Sequence, residues 1–288
     1  MPNFQLLAVF YMVLSMVTYQ ISASFAKQLF ESLDPLTVVT LRLCFASILV
    51  FIMFRSWKII PRLAYLKWRN ILFYSASVCL MNVLFYASLG KLPQGIAVGL
   101  EFLGPLTLAF FSIQQKSDYI WVGLAILGII LMVPWNDANQ ANFSYLGAAF
   151  AIGAGACWAT YIYFGQKVIR QNIGMHALTI AISLSAMVLL PISIVHNPTG
   201  LLATQHWGQA IMIALLATAI PYALDLMALK HLSKLSYGTL SSLSPAFGAL
   251  AGVILLKEHI SLWQCIALVC IMVASIGVTF KAGRQTQS

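Results

Sequence analysis

An acidic residue, Glu101, lies within the apolar stretch 94–111, which reads QGIAVGLEFLGPLTLAFF. A charged side chain at membrane depth costs about 3 kcal/mol or more, so such residues usually face the interior of a helix bundle and have a function. Pro105 follows four residues later and has no N–H, so it cannot bond to the carbonyl group of Glu101. Gly95 and Gly99 form a ridge of small residues that lets a neighbouring helix approach closely. A kinked, tightly packed helix that presents an acid inward is expected for the wall of a solute-binding site.

Arg42 supplies the opposite charge in another apolar stretch, 35–54. Arg42 and Glu101 are each eight residues into their stretches, so at a rise of 1.5 Å per residue both lie about 12 Å deep. One interpretation is a split clamp, in which Glu101 binds a ligand ammonium group and Arg42 a ligand carboxylate. The alternatives are a buried structural ion pair and an arginine that extends to the membrane surface along its aliphatic stem.

Asp225 is the second intramembrane acid, four residues after Pro221 and five before Lys230. A carboxylate that moves between wet and dry surroundings can take up and release a proton, because burial disfavours its charged form. Glu101 and Asp225 are therefore the candidates for proton coupling. Pairing with Lys230, or extension toward the nearer membrane surface, is the alternative role for Asp225.

Other polar and aromatic side chains in the apolar stretches are candidates for lining the same site. Pro245 frees the carbonyl of Ser241, and Trp158 lies too deep for the aromatic belt at the membrane surface. Packing in the bundle is the alternative role for each of these residues. The residues predicted to bind substrate are Glu101, Arg42, Trp158, Asn82, Tyr86, Tyr222 and Ser241. Helix kinks are predicted at Pro105, Pro221 and Pro245.

The cysteines and histidines give no sign of a metal site. The five cysteines lie in apolar runs, are odd in number and lack metal-ligand spacing, so we interpret them as small buried apolar side chains without disulfide bonds. They are Cys44, Cys79, Cys157, Cys265 and Cys270. The five histidines lie in or beside loops, also without ligand spacing. No metal and no other cofactor is predicted.

The elements that must position these side chains are membrane spans. The chain has 288 residues, of which 61% are hydrophobic and 8% charged, whereas soluble domains carry about 25% charged residues. Apolar runs of about 20 residues, enough to cross a bilayer core of about 30 Å, recur along the whole chain. The ten predicted spans are 4–27, 35–54, 70–90, 94–114, 119–135, 144–166, 176–195, 208–229, 236–256 and 261–281.

Lysine and arginine are divided unequally between the connections. The connections on one side of the membrane carry twelve of these residues, whereas those on the other side carry only Lys27, Lys91 and Lys257. Under the positive-inside rule both termini are cytoplasmic, which agrees with an even number of spans. The net charge of +9 is thus explained by membrane topology, so nucleic acid is not a predicted partner.

The two halves of the sequence resemble each other at an offset of 140 residues. The pairs that share this offset are Lys27 and Lys167, Leu89 and Leu229, Pro105 and Pro245, and Asp118 and Glu258. The predicted repeats are residues 1–138 and 139–288 with five spans each, and an odd number of spans makes the second repeat enter the membrane upside down. Inverted repeats place a solute site at their interface near the midplane and permit alternating access, which predicts a secondary transporter. There is no Walker motif for ATP and no Thr-Val-Gly-Tyr-Gly channel filter.

Several motifs resemble a known family, the EamA group of the drug/metabolite transporter superfamily. They are GIAVGLEFLGPL (95–106), GAGACWATYIYFGQK (153–167) and TAIPYALDLMALKHL (218–232), together with the paired prolines 105 and 245. Within that group the strings are similar to those of bacterial exporters of threonine-like and homoserine-like amino acids, although such sequences have Glu at the position of Asp225.

The resemblance implies export of a small amino acid or related metabolite across a bacterial inner (plasma) membrane, in exchange for protons. It also implies a central cavity walled mainly by the third, fourth, eighth and ninth spans, with a contribution from the sixth. Onto this sequence it carries Glu101, Trp158, Asn82, Tyr222 and the segment 241–245 as cavity-lining residues.

We therefore predict an all-α membrane protein with ten helices in two inverted repeats that exports a small zwitterion. Its predicted partners are that solute, protons and the lipid bilayer, and it is not predicted to be an enzyme. A homodimer is left open, because the ridge Gly248–Gly252 suits internal packing or a partner equally well. One alternative is a multidrug or lipophilic-cation exporter that uses Glu101 without Arg42. Others are a lipid-modifying enzyme, for which no Asp-x-x-Asp or His-Glu-x-x-His motif is found, and a structural or receptor-like helical protein.

Overall fold

A computed structural model describes residues 2–110, 119–132, 143–171, 173–229, 231–232 and 234–285, and these form helices joined by short connections. Two 3₁₀ helices, Ser56–Tyr65 and Thr204–His206, and a π-helical turn, Leu215–Ala219, lie between α-helices. The α-helices are α1 (Pro2–Leu29), α2 (Pro35–Met53), α3 (Trp68–Leu89), α4 (Gln94–Glu101), α5 (Leu103–Phe110), α6 (Tyr119–Met132), α7 (Tyr145–Ile169), α8 (His176–His196), α9 (Pro198–Leu202), α10 (Trp207–Ala214), α11 (Ile220–Leu229), α12 (Lys234–Ser241), α13 (Ser244–Leu256) and α14 (Leu262–Gln285).

Apolar helices form the molecule, and many of their side chains face outward. Val195 is 86% exposed and Met187 71%, which suits a surface surrounded by lipid rather than water. Shorter apolar helices are Tyr119–Met132 and Leu262–Gly277. Within the described residues, seven helical stretches are long and apolar enough to cross a membrane: Leu6–Leu29, Pro35–Met53, Trp68–Leu89, Tyr145–Val168, His176–His196, Thr204–Asp225 and Thr239–Leu256. The predicted all-α membrane class is confirmed.

Local sequence signals explain where several helices begin. Asp34 precedes α2, accepts a hydrogen bond from the backbone N–H of Thr37 at 3.0 Å, and is followed by a proline at the first helical position. Partial burial opposes the charge of Asp34, but hydrogen bonds from Thr37 and Asn197 outweigh it and lower the pKa of its carboxyl group. Ser144 caps α7 in the same way through the N–H of Gly147.

Three helical segments are interrupted near prolines. The helix that contains Glu101 breaks at Phe102, between α4 and α5, three residues before Pro105. The break between α12 and α13 falls just before Pro245, and the π-helical turn between α10 and α11 ends two residues before Pro221. A proline removes a backbone donor and displaces the preceding turn, which explains interruptions at these points.

The element bounds of the two halves follow one offset. Helix α4 spans 94–101 and α12 spans 234–241, so both their first and their last residues are 140 positions apart. The same offset separates the ends of α1 and α7, at Leu29 and Ile169, and the ends of α3 and α11, at Leu89 and Leu229. Packing repeats too, because α7 lies along α3 while α1 lies along α11.

Glycines bring α4 and α5 into backbone contact with two other helices. A Cβ atom placed on Gly95 would lie 2.6 Å from the Cα atom of Ala249 in α13. A Cβ atom on Gly155 of α7 would lie 2.5 Å from the carbonyl oxygen of Glu101. The ridge Gly248–Gly252 is used inside the protein, where Gly248 packs against Val98. These glycines seat the helix of Glu101 directly against two helices of the second half.

The cysteines differ in part from the prediction. All five are free; Cys265 is exposed and the other four are only partly buried. The interpretation of all five as buried side chains is therefore wrong. The physical reason is that an apolar helix in a bilayer can turn a small side chain toward lipid as well as toward the protein core.

Candidate functional site

A cavity of about 550 Å³ lies between the helices of both halves. This volume is within the range of small-molecule sites, about 300–1,000 Å³. Six of the seven predicted substrate-binding residues line it, as does the predicted proton-coupling residue Asp225. The predicted residues on its wall are Glu101, Arg42, Trp158, Asn82, Tyr222, Ser241 and Asp225. Residues scattered over most of the sequence are therefore brought to one space.

Glu101 and Arg42 face this cavity as separate buried ionisable groups of opposite type. They are only 5% and 4% exposed, and no salt bridge joins them among the described residues. The carboxylate of Glu101 has no hydrogen-bond partner within the described part of the chain, although the charge of Arg42 acts on it. The alternative interpretation of a direct structural ion pair does not describe this arrangement. Two opposite charges that do not contact each other suit a ligand that carries both signs.

The guanidinium group of Arg42 is held from one side by α3. It donates to the hydroxyl oxygen of Tyr86 at 3.3 Å and to the Oδ1 atom of Asn82. Asn82 is itself oriented, because its Nδ2 group donates to the carbonyl of Val78 at 2.7 Å. The Nε atom of Arg42 is buried without a protein partner in the described residues. The arginine is thus fixed in orientation and retains unused hydrogen-bonding capacity.

Tyr86 differs from the prediction, because it supports Arg42 from behind and does not line the cavity. Its side chain is 1% exposed, and its ring lies 4.9 Å from the guanidinium carbon of Arg42. The ring also makes an edge contact with Phe30 at 5.9 Å between centroids. Position in sequence does not distinguish the wall from the layer behind it, because that depends on how α3 is rotated.

Helix α1 contributes a wall that the sequence analysis missed. Tyr19 lines the cavity next to Arg42 and lies within reach of the charge of Glu101. Met12, Ser15 and Met16 line the same wall at the helical spacing of three and four residues. In the sequence, the signal for this wall was the helical spacing of these residues, with two hydroxyl groups among apolar side chains.

Asp225 lies in a different part of the cavity, near α1 and α12. Ser15 and Tyr237 are beside its carboxylate, and the hydroxyl of Ser15 donates to the carbonyl of Pro221 at 3.3 Å. The π-helical turn stands immediately before this segment, and such turns are frequent at functional sites. Lys230, the alternative partner of Asp225, lies outside the described residues.

Trp158 extends the aromatic part of the wall beside Glu101. Its ring makes an edge contact with Phe102, at 5.7 Å between centroids, at the break between α4 and α5. Gly155, one turn earlier in α7, is the residue that packs against the carbonyl of Glu101. The small-residue stretch GAGA (153–156) and the helix break before Pro105 therefore meet at Glu101.

A polar network, which we call the Lys27 network, joins the two halves of the chain beside the cavity wall. The Nζ atom of Lys27 lies 2.7 Å from the Oε1 atom of Glu258, and the other carboxylate oxygen accepts from the N–H of Gln94 at 2.7 Å. The side chain of Gln94 donates to the Oε1 atom of Gln20 at 3.1 Å and accepts from Ser24 at 2.7 Å. Gln20 lines the cavity, so the network runs from the protein surface to the cavity wall and joins the two halves of the chain.

The position equivalent to Lys27 in the second half has different surroundings. The Nζ atom of Lys167 lies 2.8 Å from the hydroxyl of Tyr163 and 4.1 Å from the centre of the same ring. Both residues belong to α7. Among the described residues, Lys167 thus makes its contacts within one helix, whereas Lys27 also pairs with Glu258 of the other half.

Comparison with known sequences identifies the family of this protein. The profile of the EamA-like transporter family matches residues 6–133 and, a second time, residues 145–280. The chain belongs to the EamA-like transporter family. It is accordingly a multi-pass transporter of the inner membrane and not an enzyme.

Individual relatives match over almost the whole chain. The threonine/homoserine exporter RhtA of Salmonella typhimurium (strain LT2) is 37% identical over 284 residues, which cover 98% of this chain and 94% of the relative. RhtA of Escherichia coli (strain K12) is 36% identical over 96% of this chain and 92% of the relative. The uncharacterized transporter YwfM of Bacillus subtilis (strain 168) is 26% identical over 70% of this chain and 71% of the relative. The predicted membership of the EamA group is confirmed.

A solved crystal structure shares the fold. One of its chains aligns with a TM-score of 0.62 at 14% sequence identity, covering 98% of this chain and 99% of that chain. At this level of identity the similarity concerns the fold alone. The function must be argued from the cavity.

Proposed function

We propose that this protein is a secondary active transporter that exports a small zwitterionic amino acid, similar to threonine or homoserine, by alternating access. The observation that carries the proposal is the presence of two buried charges on one cavity, Glu101 and Arg42, that do not pair with each other. A ligand ammonium group matches Glu101, and a ligand carboxylate matches the guanidinium group of Arg42. The similarity to exporters named for threonine and homoserine supports the same class of solute.

The substrate would be recognised by both of its charged groups at once. Arg42 is held by Asn82 and Tyr86, so little reorganisation is needed when a carboxylate binds. Glu101 lies on the broken helix between α4 and α5, where Gly155 fixes the backbone. Burial makes each charge costly when the cavity is empty and strengthens its interaction with an opposite charge. A solute with only one charge would leave one of the two residues uncompensated.

The proposed architecture is ten spans in two inverted repeats, residues 1–138 and 139–288, with both termini in the cytoplasm. The two family matches and the offset of 140 residues between helix bounds support a repeat of this length. The distribution of lysine and arginine supports the orientation. In this arrangement the Lys27 network lies at the non-cytoplasmic end and holds that end closed.

Proton exchange is the proposed source of energy. Glu101 and Asp225 are acids on the wall of the same cavity, and burial favours the uptake of a proton by a carboxylate. Protonation of Glu101 would remove the charge that holds the ligand ammonium group, so proton binding and substrate binding would compete. Such competition is sufficient for exchange of one for the other.

The experiment is counterflow in proteoliposomes with a panel of labelled amino acids, on wild type, Glu101→Gln and Glu31→Gln. Glu31 is exposed and lies outside the cavity, so Glu31→Gln makes the same chemical change as a matched control. We expect uptake of one or a few small amino acids, reduced at least about tenfold in Glu101→Gln, because loss of a charged hydrogen bond costs about 1.5–3 kcal/mol. The control should transport like wild type. Uptake of no amino acid would overturn the assignment of solute.

A lipophilic-cation exporter is the second candidate, favoured by the aromatic rings of Trp158 and Phe102 beside Glu101. Arg42→Gln separates the two proposals in the same assay. An amino acid transporter should lose most of its counterflow, since the ligand carboxylate would lose its cation. A cation exporter should keep or improve its transport, because a buried positive charge on the cavity wall is removed.

A further inference from the structure

The connection between α2 and α3, together with the start of α3, is a docked amphipathic segment, which we call the basic segment (residues 55–69). It contains Arg55, Lys58, Arg62, Lys67 and Arg69, and the sequence has no acidic residue from position 35 to position 100. Most of the segment, Ser56–Tyr65, is a 3₁₀ helix. The concentration of positive charge is therefore not offset by acids from the two adjoining helices.

One face of the basic segment is anchored to the protein. Ser56 is 1% exposed, and its hydroxyl lies 3.0 Å from the Nδ1 atom of His176 and 3.1 Å from the hydroxyl of Thr179. Ile59 is buried in a small apolar cluster with residues of α3 and α7. The N–H of Lys67 donates to the side chain of Gln171 at 2.7 Å. The segment is held in one place at the end of the helix bundle.

The opposite face carries large apolar side chains next to the cations. Trp57, Ile60 and Tyr65 are exposed, and the ring of Trp57 lies 6.1 Å from that of Phe51 near the end of α2. Exposed aromatic and aliphatic groups beside lysine and arginine are typical of a helix that lies in the interface of a membrane. A loop that served only to fix topology would need the charges, but neither the anchoring nor the apolar outer face.

A crevice of about 450 Å³ adjoins this surface. Its lining combines the cation of Lys58 and the imidazole of His176 with the apolar side chains of Phe54, Ile173 and Met175. Lys58 can pair with a phosphate group. The apolar lining suits the glycerol backbone and the first methylene groups of a lipid.

We infer that the basic segment and its crevice form a binding site for the head group of an anionic phospholipid. Clusters of four to eight lysines and arginines beside a membrane helix attract anionic lipids, and each charge near the surface strengthens the attraction about fivefold. The apolar outer face places those charges at the level of the head groups. The site makes no use of the central cavity, so it does not depend on the identity of the transported solute.

The test is native mass spectrometry of the purified full-length protein with equal amounts of phosphatidylglycerol and phosphatidylcholine that have the same acyl chains. The variant is Lys58→Gln with Lys67→Gln, in which both side chains are exposed. The control is Lys91→Gln with Lys257→Gln, which removes two exposed charges elsewhere. We expect wild type and control to retain phosphatidylglycerol preferentially. In the variant, the ratio of retained phosphatidylglycerol to phosphatidylcholine should fall about fivefold for each charge removed.

Two results would overturn the inference. One is equal retention of the two lipids by wild type, and the other is an equal loss of preference in the variant and the control. A higher salt concentration should weaken the preference of wild type, because a head-group contact is electrostatic. Counterflow of the solute can persist in the variant, and its absence in wild type would leave the lipid measurement unaffected, so this inference and the proposed function fail separately.

Discussion

Lys27 and Lys167 occupy equivalent positions, 140 residues apart, but their ammonium groups have different partners. Lys27 pairs with Glu258 of the other half at 2.7 Å and donates to the carbonyl of Leu92. Lys167 contacts only Tyr163 and the neighbouring ring of Phe164 within its own helix, among the residues that the structure describes. The two halves are therefore joined by an ion pair at Lys27, whereas the equivalent lysine makes no such contact among the described residues.

This difference indicates how similar halves can give an asymmetric state. Alternating access requires that one end of the cavity be closed while the other is open. In the proposed cycle the Lys27 network would hold its end closed through an ion pair, hydrogen bonds and close helix contacts, which can be broken together. Two halves that form such contacts at only one end at a time can adopt two discrete arrangements, and alternating access needs two such arrangements.

The largest expected effect comes from forcing α4 and α13 apart by bulk. Gly95→Val places a side chain where even a Cβ atom would be 2.6 Å from the backbone of Ala249, so α4 and α13 cannot keep their packing. Overpacking of this kind costs about 1–3 kcal/mol or more. We expect a lower melting temperature of the purified protein and strong loss of transport. Gly123→Val is the matched control, because a Cβ atom there has nothing within 4 Å, and it should behave like wild type.

Removal of the charge of Glu258 should open the same end without adding bulk. Glu258→Gln keeps the shape of the side chain but loses the ion pair with Lys27, which is worth about 1.5 kcal/mol for a charged hydrogen bond. The population open to the non-cytoplasmic side should rise about tenfold. The measurement is the labelling rate of Val98→Cys, on the cavity wall, by a membrane-impermeant thiol reagent in a background without the native cysteines. Unchanged labelling would show that the network does not control access.

The smallest effect is expected at the equivalent lysine. Lys167→Met removes an exposed contact with Tyr163 inside one helix, so labelling of the same cysteine should change by about twofold or less. A change as large as that from Glu258→Gln would contradict the comparison, because it would mean that both lysines tie the two halves in the same way. The labelling rate is thus expected to rise more in Glu258→Gln than in Lys167→Met.

Much of the fold could be predicted from the sequence, because the signals are local. Hydrophobic runs and turn residues placed the helices close to their observed bounds, and prolines marked the interruptions near Phe102 and Leu243. Proline alone was not sufficient, since Pro191 lies inside α8 without ending it. An interruption depends on how the neighbouring backbone is packed, as Gly155 shows beside the carbonyl of Glu101.

The candidate site was predicted less completely. Buried acids and a buried arginine are conspicuous in an apolar sequence, so Glu101, Arg42 and Asp225 could be found without a structure. Tyr19 was missed, because its helical spacing from Ser15 was a weak signal and a tyrosine in an apolar helix has many possible surroundings. Tyr86 was placed on the wall, although the rotation of α3 puts it behind Arg42.

By itself the sequence determined the membrane class, the family and the short set of buried charges, since hydrophobicity and charge act through each residue's own transfer between water and lipid. Only the tertiary structure decided which charges meet. Lys27 and Glu258 are 231 positions apart, and Arg42 reaches Asn82 and not Glu101. Such partners depend on the rotation and packing of whole helices, and close packing fixes both through contacts that are distant in the chain.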